Sequence, residues 1–195
     1  NRIKTPRGAQ WLTVPVNALL GTLISDVQID AGQPWQRKHV EAIRVNYARA
    51  PYFDRYFGEL EQLLRRPWRR LADLNVEVTR FLAEALGLTP RMLRASELPP
   101  VSAGPTGRLL DLCVAVGADT YLAGRDGARY MDLPRFEAAR VAVLGQEYQH
   151  PTYSQLDGDF LPFLSVVDLL LNHGESSLRI LREGDRWTPL ETITP

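Results

Sequence analysis

The apolar positions of this chain fall into successive rhythms, and each rhythm predicts an element. Trp11-Leu12-Thr13-Val14-Pro15-Val16 and Ile24-Ser25-Asp26-Val27-Gln28-Ile29-Asp30 are β-branched and partly alternating, which predicts two strands joined by a turn containing Gly21. Pro34 then opens a helix in which Val40, Ile43 and Tyr47 recur at helical spacing until Pro51 stops it. Phe57, Leu60 and Leu64 repeat that spacing over 53–64. A third helix begins near Trp68, with Leu71, Leu74, Val78, Phe81, Leu82 and Ala85 on one face and Gly87 as a left-handed stop.

Beyond Thr89-Pro90 the texture changes. A short element over 92–96 leads through Leu98-Pro99-Pro100 into a small-residue loop, Ser102-Ala103-Gly104-Pro105-Thr106-Gly107. A helix follows with Leu109, Leu110, Cys113 and Val116 inward and Gly117 at its end. A buried strand over 119–123, closed by Gly124-Arg125-Asp126-Gly127, precedes a helix over 132–139 and a strand over 141–144. This alternation is the rhythm of a parallel sheet with right-handed crossovers. The expected fold class is therefore α/β: a small parallel Rossmann-like sheet with flanking helices and a helical N-terminal half, in one domain spanning 1–195.

Composition narrows the class further. The chain has 195 residues, with 45% hydrophobic and 24% charged, as in an average globular protein. Its 23 basic and 23 acidic residues cancel, which argues against a general nucleic-acid binder that needs a phosphate-neutralising excess. All bases but Lys4 and Lys38 are Arg, which supplies bidentate forks for phosphate or carboxylate or simply reflects codon usage. A lone cysteine, Cys113, forms no internal disulfide and points to a reducing, cytoplasmic home. No apolar run is long enough to span a membrane; the best, over 160–172, is broken by Pro162, Ser165 and Asp168.

The chemistry is sparse. The 104–107 loop before Arg108 reads either as an anion cradle at a helix start or as a plain connection, and it matches neither nucleotide fingerprint, so no cofactor is expected. The turn at Gly124 stands beyond a strand's C-terminal end, where parallel sheets expose ligands, or is an ordinary turn. Cys113 reads as a core thiol. His39, His150 and His173 have no metal-ligand spacing, so no metal is expected. Ser165 at the N-cap and Asp168 at N3 resemble a capping box, while Asp168 and Asn172 share one helix face. Ser165, His150 and Asp168 can be drawn as a triad, but Ser and Asp on one turn lack its geometry.

Several blocks carry a resemblance. Asn1-Arg2-Ile3-Lys4, Trp11 to Val16, and Tyr47 with Ala50-Pro51-Tyr52-Phe53 come first. Gly107-Arg108-Leu109, Gly117 to Gly124 and Phe136 follow. His150-Pro151-Thr152-Tyr153-Ser154-Gln155, Phe160-Leu161-Pro162 and Ser165 to Gly174 close the series. In this order they resemble the WbqC-like protein family across nearly the whole chain. Members begin with a strand and a His-Gln-Pro motif that this chain lacks, so an N-terminally truncated domain is expected.

The resemblance implies an acyl- or aminoacyl-group transferase of surface-polysaccharide (O-antigen) or natural-product biosynthesis. Its substrate would be a small molecule, a nucleotide-linked amino sugar or an activated acyl donor. The alternative is a non-catalytic protein holding a nucleotide sugar or a partner enzyme. A third reading, a nucleotide-dependent sugar enzyme, wants a glycine fingerprint the chain does not have. The expected pocket gathers Asp119, Tyr121 and Gly124 with His150, Tyr153, Gln155, Ser165, Asp168 and Asn172, and His39 and Tyr52 approach from the early helices. His150 is the expected proton-transfer group, Asp168 its orienting carboxylate, and Arg2 and Arg108 the contacts for phosphate or carboxylate.

Overall fold

A computed structural model describes residues 1–190. The chain opens with an antiparallel hairpin, β1 (Arg2–Thr5) on β2 (Gly8–Trp11), in the register Arg2↔Trp11 and Thr5↔Gly8. The expected strand over 11–16 is thus shorter and earlier. Pro15 has no N–H to give to a ladder, and pairing resumes only where β3 (Val16–Asn17) meets β4 (Gln28–Ile29) antiparallel. Most of the second expected strand is absent as well: Ile24–Asp26 coils into a 3-10 turn. Ile24 is exposed, so its β-branched side chain has no face to pack against, and packing is what strand propensity measures.

Three helices follow as the spacing predicts: α1 (Trp35–Tyr47), α2 (Phe53–Arg65) and α3 (Leu71–Ala85). Gly87 at φ +76 ends α3, with the Leu88 N–H donating to the Ala83 carbonyl at 2.8 Å. Next come α4 (Pro105–Val116), closed by Gly117 at φ +68, then β5 (Thr120–Ala123), α5 (Leu133–Ala138) and β6 (Ala142–Gln146). The closing part holds α6 (Val166–His173), α7 (Ser177–Glu183) and β7 (Trp187–Pro189).

These elements divide into two compact units. The first comprises Asn1–Pro90 and His150–Leu181. Its core interleaves Ile3 of β1, Val40, Ile43 and Tyr47 of α1, Phe57 and Leu60 of α2, and Leu170 and Leu171 of α6. An element near the end of the sequence is therefore clamped against the earliest ones.

The second unit comprises Arg91–Gln149 and the residues from Arg182 on. Its sheet has the order β5-β6-β7, with β5 and β6 parallel and β7 antiparallel to β6. The fold is mixed α/β, and the sheet is mixed rather than a parallel Rossmann-like one. After β6 the chain enters a proline-containing segment (Pro151, Pro162) whose backbone bonds to side chains instead of to a further strand. Leu110, Cys113, Ala123, Phe136, Val141 and Val143 form this unit's core. Cys113 is buried there, and burial pushes its thiol pKa up.

Candidate functional site

The residues expected to do chemistry are best followed outward from Asp168 in the first unit. Ser165 caps α6 as expected, its hydroxyl accepting from the Val167 N–H at 3.3 Å. Asp168 does not complete a capping box. Its side chain turns inward and is fully buried, at 0 % exposure. Tyr47 donates to Oδ1 at 2.7 Å, and Tyr153 and Gln155 both donate to Oδ2 at 3.0 Å.

The partners are themselves tied. The backbone N–H of Lys4 donates to the Tyr47 hydroxyl at 2.8 Å, and the buried Lys4 ammonium donates to the Asp159 carbonyl at 2.6 Å. Gln155 spans its loop, donating to the Leu161 carbonyl and accepting the Leu161 N–H. Burial raises the Asp168 pKa, and its three donors and nearby Lys4 oppose that rise. Burial and the adjacent carboxylate push the Tyr47 hydroxyl far up, so it stays protonated and keeps donating. This constellation is a buried hub joining β1, α1, the 150–163 loop and α6. The Asp168 carboxylate is enclosed by these partners and has no exposed surface in this structure.

His150 serves the same loop. Its Nε2 accepts the Phe163 N–H at 3.1 Å, so its Nδ1 carries the hydrogen donated to the Pro151 carbonyl at 2.8 Å. Its ring packs against Phe163, Phe160 and Tyr153. Phe163 takes φ +59, a costly conformation for a bulky residue, and Arg2 holds its carbonyl at 2.9 Å. Asn172 bonds the Asp168 carbonyl at 2.7 Å within α6. The Tyr52 ring packs so close to Gly174 that an added Cβ would clash with it. The Ser165, His150 and Asp168 triad is thus replaced by a cap, a loop brace and a hub.

His39 occupies a different setting in the same unit. It sits on α1, buried, with the Trp35 ring edge-on at 5.3 Å and Nε2 at 3.1 Å from the Thr13 carbonyl. A carbonyl only accepts, so Nε2 carries the hydrogen and Nδ1 holds a lone pair. No buried side-chain nitrogen or oxygen among the described residues lacks a partner. Nδ1 is therefore not fully enclosed, and His39 is one of the residues that line a cleft. Burial lowers the His39 pKa, with the Thr13 hydrogen bond opposing, so the ring is held neutral.

That cleft has a volume of about 310 Å3 and is walled by Trp11, Trp35, Gln10, Gln33 and Lys38 beside His39. It combines two aromatic faces, two amides, one ammonium and one neutral imidazole, the mixture of apolar wall and few polar groups that holds small ligands. The Arg2 guanidinium lies 5.4 Å from the ring centre of Trp11, one of the lining residues. Of these, His39 and Arg2 were visible as candidates from sequence. Lys38, Trp11 and Trp35 were missed, although Lys38-His39 one turn after Trp35 was a readable cue.

The remaining candidates lie in the second unit. Gly124 and Arg125 border a cleft of about 490 Å3 beyond the C-terminal ends of β5 and β6, together with Gln146, Glu147 and Gln149. This is the position that parallel strands give to ligands. Asp119 accepts the Ala142 N–H on its carbonyl, and Tyr121 packs against Phe136 at 5.7 Å. Arg108 is exposed on the first turn of α4. A larger groove of about 610 Å3 is walled mainly by aliphatics such as Leu133, Val141, Val143 and Leu190, with little chemistry to offer. Among the described residues no group of three His, Cys, Asp or Glu is placed to hold a metal ion, and no helix is long and apolar enough to cross a membrane.

Residues 1–180 match the model of the WbqC-like protein family. An uncharacterised protein of Mycobacterium tuberculosis, Rv1507c, is 32% identical over 186 residues, covering 93% of this chain and 80% of that protein. No solved structure matches. A family match over nearly the whole length, with a relative aligned across most of both chains, shows that this chain belongs to the WbqC-like protein family.

Proposed function

We propose that this protein is a small-molecule group transferase that works in the His39 cleft, moving an acyl or aminoacyl group onto an amino sugar or a comparable acceptor of polysaccharide or natural-product biosynthesis. The observation that carries this reading is the His39 ring. One nitrogen is pinned as a donor to the Thr13 carbonyl, which leaves the other a lone pair, and the residue lines a cleft of about 310 Å3.

A neutral imidazole with an available lone pair is a general base. In acyl transfer it takes the proton from the acceptor's amine or hydroxyl as that group attacks the carbonyl carbon of the donor. The resulting imidazolium returns the proton to the leaving thiolate or phosphate. Lys38 supplies positive charge for an anionic donor, and the two tryptophans supply apolar walls for a sugar or acyl body.

The second reading is a binding protein without catalysis. The buried state of Asp168 favours it, because that carboxylate is committed to structure and not to reaction. The two readings part in one experiment. The protein is incubated with pairs of activated acyl donor and nucleotide-linked amino sugar, and products are sought by mass spectrometry. Transfer at a rate above the uncatalysed control supports the transferase. Quenching of Trp11 and Trp35 fluorescence by ligand, with no product from any pair, supports the binding protein and overturns the transferase.

A further inference from the structure

The segment between β3 and β4 presents hydrocarbon outward. Leu19, Leu20, Leu23 and Ile24 are 85, 108, 67 and 81 % exposed. The segment is shaped: the Thr22 N–H donates to the Leu19 carbonyl at 3.1 Å and the Leu19 N–H donates to Thr22 Oγ1 at 3.2 Å. Gly21 at φ +92 supplies the positive φ that a type II turn needs at its third residue, which sets Leu20 near the apex.

The ladder beneath fixes what stands beside this turn. Asn17 pairs with Gln28, and Gln28 bridges to Arg70. The Ile29 N–H donates to the Arg69 carbonyl at 2.8 Å. The apolar turn thus leaves the ladder at the end where Arg70 stands. Arg66, Arg69 and Arg70 are exposed and make no ion pair among the described residues, whereas Asp26 is the one carboxylate between Asn17 and Gln28.

We propose that the Leu19–Ile24 turn and the Arg66–Arg70 segment together dock the protein on an anionic lipid surface. The leucines enter the boundary between headgroups and acyl chains, and the arginines hold headgroup phosphates. Hydrocarbon beside uncompensated cations complements a bilayer that is apolar below and negative at its face. A second copy of the chain is the poorer occupant, since it sets arginine against arginine. Four aliphatic side chains also offer only roughly 100 Å2 each, about half of the ~800 Å2 per partner in a standard protein interface.

Co-sedimentation with vesicles tests this, using phosphatidylcholine alone and phosphatidylcholine with one quarter phosphatidylglycerol. Wild-type protein binds the anionic vesicles at least about tenfold more tightly than the neutral ones, and added salt weakens the binding. Leu19→Ser with Leu20→Ser loses about tenfold or more. Arg66→Gln, Arg69→Gln and Arg70→Gln combined lose on the order of 100-fold, at about fivefold per arginine. All five positions are exposed, so both variants keep the wild-type melting temperature, which is checked first. Wild-type binding that is absent or equal on the two lipids, or variants that bind as wild type does, overturns the proposal. A dimer seen by analytical ultracentrifugation and lost in the leucine variant, without vesicle binding, assigns the turn to a second copy and overturns it as well.

Discussion

Replacing Asp168 with alanine removes the acceptor that three donors share. Tyr47 at 2.7 Å and Tyr153 at 3.0 Å lose the partner of their hydroxyl hydrogens, while Gln155 keeps its bond to the Leu161 carbonyl. Two buried hydroxyls therefore lose this acceptor, at up to about 1–3 kcal/mol each. Relief of the carboxylate's own burial offsets part of that loss. The net expectation is a destabilisation of about 3 kcal/mol, the scale of breaking a buried hydrogen-bond network. At about 2–4 °C per kcal/mol for a chain of this size, the melting temperature falls by roughly 10 °C.

Circular dichroism melts at pH 7 read the effect directly, and a double-mutant cycle with Tyr47→Phe isolates its cause. Once Asp168 is gone, the Tyr47 hydroxyl has already lost its acceptor, so the second substitution adds little and the coupling is at least about 1 kcal/mol. A melting temperature within about 2 °C of wild type, or strictly additive effects, refutes the hub.

Further outcomes follow from single features of the same unit. The folded His39 pKa is lowered, so the native state favours the neutral ring and stability is lost as pH falls through the ordinary histidine value. Urea titrations at pH 7.5 and 5.5 show this loss in wild type and a smaller one in His39→Gln. The folded Asp168 pKa is raised, so its contribution is largest at acidic pH and declines as pH rises above the ordinary carboxylate value. The stability gap between wild type and Asp168→Asn therefore shifts against wild type over that rise, whereas a constant gap refutes the assignment. Gly174→Ala drives a Cβ into the Tyr52 ring from a backbone at φ +53 and costs about 2–4 kcal/mol in denaturant unfolding. Gly58→Ala, mid-helix with open space where its Cβ would go, raises stability by about 0.5–1 kcal/mol.

The helices were legible in the sequence because each buries one stripe, and a stripe at 3.6-residue spacing survives any tertiary arrangement. Val40, Ile43 and Tyr47 announced α1, and Gly87 and Gly117 announced the ends of α3 and α4. The early strands were misread because β-branching alone does not decide between a ladder and an exposed turn. Ile24 has strand chemistry, yet the absence of a packing face sends it into a 3-10 turn. The parallel pair β5 and β6 was readable from alternation, but β7 was not, because an antiparallel partner more than 40 residues away leaves no local trace.

The site was half visible for a similar reason. Asp168, Tyr153 and Gln155 do meet, as the polar closing segment implied. Their enclosure depends on Lys4 and Tyr47, which lie more than 120 residues upstream of Asp168, so the closing segment alone does not reveal the hub. His39 was placed mid-helix from sequence, but its acceptor, Thr13, belongs to a segment misread as a strand.

In the proposed transfer reaction His39 carries the proton. The most direct measurement is kcat/KM for acyl transfer by wild type and His39→Gln, with folding verified by melts and ligand binding by tryptophan quenching. The glutamine retains a donor for Thr13 but holds no basic nitrogen. Binding persists in His39→Gln while kcat/KM drops about 10²- to 10⁴-fold, and the pH profile loses its lower limb. Transfer by His39→Gln at the wild-type rate, with the same pH profile, contradicts that role.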